Sequence, residues 1–347
     1  MGGRSRTSRR LAGVVLVLGM AASSCLAAGG GVTTEERTAP GASAVSTSPS
    51  PGAAGSEPAV EWWARGYRGE PAAAIPRRWV GVVREAPAVD RVVATVDGEV
   101  DRVVAWRVEA GSEGPAVRAE TISIDGSDGL WWIGTCCEPV SGSLWTIDPA
   151  SPDAPMLRAD GLRTDAGGDV RAVVSATGDL AIYRRDSLEL LEFSLGIGAT
   201  SVAVDPAGVV VALTDDPSLL EHPSASGMRL RWYRLDASGV ERRSLSLPAG
   251  LRFCAATWTH TGHVLLRARE RSVEGRCLGS TLYDLDPVTG TLGEVDGQPG
   301  APIAAWGIDA SGSKLIYVTE AGEVRWRSLD DGTDDLLDVG AYVAADW

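Results

Sequence analysis

The chain has 347 residues, of which 44% are hydrophobic and 22% are charged, and its formal net charge at pH 7 is -14. This length accommodates one large all-β domain or two ordinary domains, and the hydrophobic content is sufficient for a sizeable core. The negative balance argues against a nucleic-acid partner, because binding to phosphates requires clustered Lys and Arg side chains.

The beginning of the chain has the pattern of an export signal. A basic stretch that contains Arg9 and Arg10 precedes the apolar run at residues 11–20. A run of about ten residues is too short to span a membrane as a mature helix, and it matches the hydrophobic region of a secretory signal peptide. Residues 1–25 are therefore predicted to direct the protein out of the cytoplasm.

The sequence AASSC at residues 21–25 resembles a bacterial lipobox, in which small residues precede a cysteine that becomes lipid-modified. This resemblance implies that Cys25 is the lipidation site, although Ala22 stands where Leu is usual. Two alternatives stay open. One is an ordinary signal peptide that is cleaved near Ala28 and releases a secreted protein, and the other is a twin-arginine signal at residues 8–10.

Residues 26–60 consist mainly of Ser, Thr, Pro, Ala and Gly, with almost no large apolar side chain. Such a segment cannot bury enough surface to offset the entropy lost on ordering. We therefore expect a disordered tether between the anchor and a folded head at residues 61–347.

The head is predicted to be all-β and to consist of repeats. Short runs of Val, Ile, Leu, Trp and Tyr alternate with Gly, Asp, Pro and Ser, and no long segment has helical spacing. Residues 200–247, 253–295 and 303–340 each contain four such runs. Four strands at a period of about 40–50 residues are typical of a β-propeller blade. An aromatic third strand that ends near Asp recurs as LWTIDP, WYRLD, LYDLDP and WRSLD.

The last residues, AYVAADW at 341–347, have the pattern of the first strand of one more unit. Strands from about residues 79–108 would complete that unit and remove the open edge of the ring. Six blades are favoured, with seven as the alternative. These repeats resemble those of TolB-like and WD-repeat β-propellers on exported bacterial proteins, and the Ala-, Val-, Gly- and Arg-rich composition indicates an actinobacterial source. The resemblance covers residues 61–347 and implies the fold rather than the function.

The cysteines indicate disulfides. If Cys25 carries a lipid, the remaining four are Cys136, Cys137, Cys254 and Cys277, and exported thiols usually pair. We favour Cys254–Cys277, which would pin the loop at residues 269–280. The adjacent Cys136 and Cys137, in GLWWIGTCCEPVSGSLW, would then form a vicinal clamp at the end of a second strand. The alternative is two long-range bridges, because neighbouring side chains on a strand point in opposite directions.

No cofactor or metal site is predicted. Adjacent cysteines lack the spacing of zinc ligands, and the sequence has neither a nucleophile elbow nor a phosphate-binding glycine loop. The candidates for a binding surface are the tryptophan pair Trp131 and Trp132, and Glu138 in the loop that the clamp would shape.

Two functional hypotheses follow from this pattern. The first is a non-catalytic head on the outer face of the membrane that binds an envelope protein or a small ligand. The second is an exported propeller enzyme, such as a metal-dependent hydrolase or lactonase, with Asp205, Asp309 and Asp346 converging on the central channel. The recurrence of these aspartates at one repeat position favours structural turns over a metal site.

Overall fold

The structure of the protein is a computed structural model. It describes residues 78–346 except 86–88, 97–98, 107–117, 125–128, 136–141, 153–154, 216–226, 237–238, 270, 274–275 and 310. For residues 89, 271–273, 276 and 277 it describes the backbone alone. All of these residues belong to the unit Glu57–Trp347. Among them, no helix is long and apolar enough to cross a lipid bilayer.

Six four-stranded antiparallel sheets form the blades of a β-propeller. Blades I to III, each from its first strand to its fourth, are β26 (Tyr342–Asp346), β1 (Arg78–Glu85), β2 (Val89–Val96) and β3 (Glu99–Trp106); β4 (Ala119–Ile124), β5 (Trp131–Thr135), β6 (Ser143–Ile147) and β7 (Met156–Asp160); and β8 (Arg163–Gly167), β9 (Val170–Val174), β10 (Leu180–Arg184) and β11 (Leu190–Ser194).

Blades IV to VI follow the same order. They are β12 (Ala199–Val204), β13 (Val210–Asp215), β14 (Met228–Asp236) and β15 (Gly239–Ser246); β16 (Phe253–Trp258), β17 (Val264–Ala268), β20 (Leu282–Leu285) and β21 (Leu292–Glu294); and β22 (Ile303–Ile308), β23 (Lys314–Thr319), β24 (Glu323–Ser328) and β25 (Asp334–Val339). In blade V a separate hairpin, β18 (Arg271–Val273) and β19 (Arg276–Leu278), is inserted between the second and third strands.

Burial falls from the second strand of each blade to the fourth. The second strands β9, β17 and β23 are buried at every residue. Neighbouring blades cover both faces of such a strand, so its sequence is a nearly continuous apolar run rather than an alternating one. The fourth strands β7 and β15 are mostly exposed, because they form the outer edge of their sheets.

Each junction between neighbouring blades has its own hydrophobic cluster. The cluster between blades IV and V contains Trp232 and Trp258, both fully buried. Blades II and III share a much smaller cluster in the described part of the chain, with Trp132, Leu144 and Val173 as its buried members. There the guanidinium of Arg171 stacks on Trp132, 3.6 Å from the ring centroid, so a cation–π contact supplements the apolar packing.

The two ends of the folded head close the ring. In blade I, β26 from the end of the chain pairs antiparallel with β1, with Val80 opposite Asp346 and Val82 opposite Ala344. The rings of Trp79 and Tyr342 meet edge to face, 5.6 Å apart between centroids. This pairing gives β1 a partner on its inner side, so the sheet has no open edge at the seam.

The prediction of an all-β propeller is therefore confirmed, with six blades rather than seven and with closure by strands from both ends of the head. The region at residues 269–280 was expected to be a loop, and it contains the β18–β19 hairpin. Each of these strands has three residues. A run that short has no periodic pattern that distinguishes it from a loop.

Gly81 provides a test of the seam, because a Cβ at this position would lie 2.8 Å from the Tyr342 ring and 2.9 Å from the Trp79 ring. These buried rings cannot move aside without disturbing the closure. We expect Gly81→Ala to lower the free energy of unfolding by about 1–3 kcal/mol, measured by urea denaturation. In the control variant Gly293→Ala, on the outer strand β21, a Cβ meets nothing within 4 Å. Equal stability of the two variants would contradict this account of the seam.

Candidate functional site

The two faces of the propeller carry connections of different lengths. We call the face on which the first strands begin the top face; for example, Ala119 at the start of β4 lies opposite Thr135 at the end of β5. The connections from second to third strands, and from one blade to the next, begin and end there. They include the three longest connections of the head, residues 107–118, 216–227 and 269–281, whereas the longest bottom-face connection is residues 148–155. The bottom face carries shorter turns, which makes the top face the better candidate for binding.

Two of the three predicted binding-surface residues, Trp131 and Trp132, are buried. Trp131 and Trp132 lie at the start of β5, near the bottom face, and their exposed fractions are 6% and 4%. Their side chains pack in the clusters between blades I and II and between blades II and III. Two adjacent strand residues point to opposite faces of a sheet, and here both faces are covered. The expectation that this tryptophan pair is exposed was wrong.

Three of the predicted disulfide and surface residues lie outside the described residues, namely Cys136, Cys137 and Glu138, as does Cys25. The first three belong to the top-face connection that follows Thr135. Cys254 lies in β16, is buried, and has its Sγ 3.8 Å from the Ala268 carbonyl oxygen. This sulfur is disulfide-bonded. Cys277 lies in β19 opposite Ser272, and its side chain is outside the described part of the chain, so the pairing stays a prediction.

The aspartates considered for a channel metal site have structural contacts. Asp205 is buried, and its Oδ1 accepts hydrogen bonds from the Val209 and Ala207 amides of its own turn. Asp309 accepts hydrogen bonds from the Ser313 and Lys314 amides in the corresponding turn of blade VI. These are the hairpin turns that the repeat position favoured. Within the described ranges, no group of three His, Cys, Asp or Glu side chains is arranged to hold a metal ion.

Asp346 has a different contact from these two aspartates. Its Oδ2 accepts a hydrogen bond of 2.9 Å from the amide of Ile124 in the first strand of blade II. Similar contacts join other neighbouring first strands: the Asp165 Oδ2 accepts from the Val204 amide at 2.7 Å, and the Ser201 Oγ accepts from the Ala256 amide at 3.1 Å. Side chains on the first strands therefore join the blades around the propeller axis.

A group of charged residues, which we call the top-face charged cluster, lies where several first strands begin. Its members are Arg84, Asp90, Arg118, Glu120, Arg163 and Arg267. Asp90 is the buried centre at the junction of blades I and II, with a side-chain exposure of 1%. Its Oδ2 accepts the Ala119 amide at 2.9 Å, and its Oδ1 lies 3.2 Å from Arg118 Nη1 and 3.4 Å from Arg84 Nε. One carboxylate thus holds two arginines.

The cluster continues from blade II toward the axis. Arg84 Nη2 donates to the Glu120 Oε1 at 3.0 Å and to the Ala119 carbonyl at 2.9 Å. The charge of Glu120 also attracts Arg163, an exposed residue at the start of β8. The positive charge of Arg163 acts in turn on Arg267 in β17. The described cluster therefore has four arginines and two carboxylates, in a chain with a net charge of -14.

The sequence analysis did not predict this cluster, although the strand sequences contain a sign of it. Asp90 and Arg267 interrupt the apolar strands VDRVVATV and VLLRA. A charged residue inside a run that is otherwise apolar must be paired or bound when the strand is buried, because an unpaired buried charge is costly. The strand pattern could therefore have identified these two residues, but not their position relative to Glu120 and Arg163.

Comparisons with known proteins assign the chain to no family. No family model and no curated protein matches the chain. It is similar to a chain in the crystal structure of a nidogen/laminin complex, with a TM-score of 0.49 and 12% identity over 78% of this chain and 97% of that chain. It is also similar to the WD40 domain of Toxoplasma gondii coronin, with a TM-score of 0.45 and 14% identity over 76% and 68% of the two chains. The strand pairing establishes the six-bladed β-propeller architecture without these similarities.

The favoured disulfide gives a direct prediction. Cys254 lies beside Ala268, the last residue of the strand that leads into the segment containing Cys277. We expect non-reducing peptide mapping of the exported protein to find Cys254 linked to Cys277. A peptide that joins Cys254 to Cys136 or Cys137 would support the long-range alternative instead.

Asp165 provides a prediction about pH. Burial raises the pKa of its carboxyl to about 6, against the opposing effects of the Val204 and Ala166 amides and of the Arg171 charge. The unfolded carboxyl titrates near 4. Between these values the folded state binds more protons, so this group lowers the free energy of unfolding as the pH rises from about 4 to 6.

Replacing Asp165 by Asn removes this titration. The side chain keeps one acceptor and loses the other, so a constant loss of stability is expected at all pH values. Between pH 4 and pH 7, the free energy of unfolding of the variant should rise by about 1–2 kcal/mol relative to that of the wild type. Urea denaturation at several pH values measures this difference. Asp169→Asn changes an exposed residue of the same blade and is the control. Its free energy of unfolding should depend on pH as that of the wild type does. A constant difference between Asp165→Asn and the wild type would contradict the raised pKa.

Proposed function

We propose that the protein is a non-catalytic binding or scaffold module. Its head lies on the outer face of the cell membrane, held by a lipid on Cys25 and a tether at residues 26–60, and binds an envelope protein or a ligand through its top face. The observation that carries this proposal is the difference between the two faces of the propeller. Loops on a rigid scaffold are the usual place for binding residues, and the three longest connections of this head belong to one face.

The rigidity of the scaffold supports this proposal. The blade junctions are packed by separate hydrophobic clusters, and the seam is a strand pairing rather than a loose contact. A top-face connection between a second and a third strand, such as residues 216–227, is therefore anchored at both ends by largely buried strands. The strands at the ends of a top-face connection therefore move little, and this lowers the entropy lost when the connection binds a partner.

The membrane anchor and the actinobacterial source are proposed from the sequence alone. The basic start, the apolar run at residues 11–20 and the small residues before Cys25 support export and lipidation. The composition supports the source. The secreted form cleaved near Ala28 is the alternative outcome for the location.

Site-specific photo-cross-linking of the full chain in cells tests the proposed binding face. The photoreactive residue is placed at Ala176 or Ala321, exposed top-face positions, and at Ala207 or Val288, exposed bottom-face positions. We expect one dominant partner to be captured from the top face and little from the bottom face. Mass spectrometry then identifies the partner. Capture from the bottom face alone, or equal capture from both faces, would overturn the assignment of the face.

A fractionation control separates the anchor from the binding face. Cys25→Ala removes the proposed lipidation site, so the chain is expected to leave the membrane fraction while keeping its fold. If this variant stays in the membrane fraction, lipid on Cys25 is not the anchor. The cross-linking result then still reports on the binding face.

A further inference from the structure

An apolar groove lies between the outer strand of blade I and the bottom-face turn of blade II. It has a volume of about 330 Å³ and is lined by four consecutive residues of β3, Val103–Trp106, and by Ile147, Pro152 and Pro155. Beneath it the Trp106 ring meets the Trp145 ring edge to face, 6.1 Å apart between centroids. Every lining residue is apolar, so the groove suits an apolar stretch of polypeptide better than a small charged ligand.

One wall of this groove is an open sheet edge. β3 is the last strand of blade I, and no described strand pairs with its outer side. Glu99, Asp101 and a bulge at Asp101 occupy the first half of β3. The second half, Val103–Trp106, keeps a regular register with β2 and has no charged residue. Charges and bulges are common means of keeping another strand from an edge, so the second half of β3 is the part that can accept one.

A strand added at this edge would meet apolar surface on both of its sides. Val104 and Trp106 point into the cluster between blades I and II and are buried. Val103 points the opposite way and is 50% exposed. The side chains of an added strand alternate in the same manner. Two large apolar residues in succession therefore match this edge, since one would lie over the groove and the other over Val103.

The chain has such a pair shortly before the ring. Trp62 and Trp63 belong to AVEWWARGY, residues 59–67, which lie outside the described residues. Together with Tyr67 they are the only aromatic residues that precede β1. Burial of two indole rings removes a large apolar area from water, and the groove and Val103 offer the surface to bury them.

The geometry of blade I allows this segment to reach the groove. Arg78 begins β1 at the bottom face, two strands away from Glu99 at the start of β3. With strands about 5 Å apart and a rise of about 3.4 Å per residue, the path from Arg78 to Ala105 is roughly 20–25 Å. The intervening residues 68–77 span up to about 33 Å when extended. A segment that runs from Trp106 toward Glu99 is antiparallel to β3, which is the pairing found within the blades.

We propose that residues 59–67 bind to β3 as an added antiparallel strand, with one ring of the pair Trp62 and Trp63 in the groove between blades I and II and the other over Val103. The tether would then leave the head at the outer rim of these two blades, which keeps it away from the centre of the top face. This inference goes beyond the proposed function, because it requires no partner protein.

Limited trypsin digestion of the purified full chain tests this proposal, because trypsin cleaves after arginine. Arg37 lies in the predicted tether and Arg65 in the proposed strand. A paired strand is cleaved only when it opens, so we expect cleavage after Arg65 to be at least about tenfold slower than cleavage after Arg37. Equal rates at the two sites would overturn the proposal.

Variants of the edge distinguish binding at β3 from binding elsewhere on the head. Val103→Asp changes an exposed side chain, so the ring is expected to fold, and it puts a charge against the proposed strand. We expect this variant to speed cleavage after Arg65 by at least about fivefold and to leave cleavage after Arg37 unchanged. Val288→Asp, at a valine that is 54% exposed in blade V, is the matched control and should change neither rate. Protection of Arg65 that survives Val103→Asp would overturn the proposed site.

Photo-cross-linking identifies what occupies the groove. The aromatic photoreactive residue benzoylphenylalanine replaces Trp63 in the full chain, and the cross-linked peptides are mapped by mass spectrometry. We expect a cross-link within one chain to residues 103–106 or 152–157. A cross-link between two copies, or to another part of the ring, would contradict the proposal.

Discussion

The burial of both faces of each blade against its neighbours is the constraint on which the rest of the structure depends. A single four-stranded sheet of this kind exposes an apolar surface, so the sheets are stable only as a closed ring. Closure explains why the last strand β26 returns to pair with β1 and why Gly81 leaves room for Trp79 and Tyr342. It also explains why second strands such as β9 are buried at every residue while outer strands such as β7 are exposed.

The closed ring brings polar side chains of one blade into hydrogen-bond distance of the next blade. First strands approach one another around the axis, and Asp165, Ser201 and Asp346 use side-chain oxygens to bind amides of the next blade. An even number of strands in each blade returns the chain to the top face at every blade end. One rigid ring thus produces both a loop-rich face and hydrogen bonds that join neighbouring first strands around the axis.

Much of the fold could be predicted because its signals are local. The aromatic third strand at Trp232 and the final AYVAADW each follow from a few adjacent residues. The binding surface could not be predicted in this way, since the pair Trp131 and Trp132 has the same sequence pattern whether its two sides are open or covered. The structure shows that blades I and III cover them. The β18–β19 hairpin was missed for a different reason, because three-residue strands carry no periodicity.

By itself, the sequence determined the all-β class, the four-strand repeat and the way the ring closes, because strand propensity, turn residues and repeat length are properties of short segments. Only the tertiary structure decided which charges meet. Arg84, Glu120, Arg163 and Arg267 come from four different blades, and their attraction or repulsion depends on distances across the ring that no segment specifies. The electrostatic character of the top face is therefore a property of the closed ring, since Coulomb interactions act through space rather than along the chain.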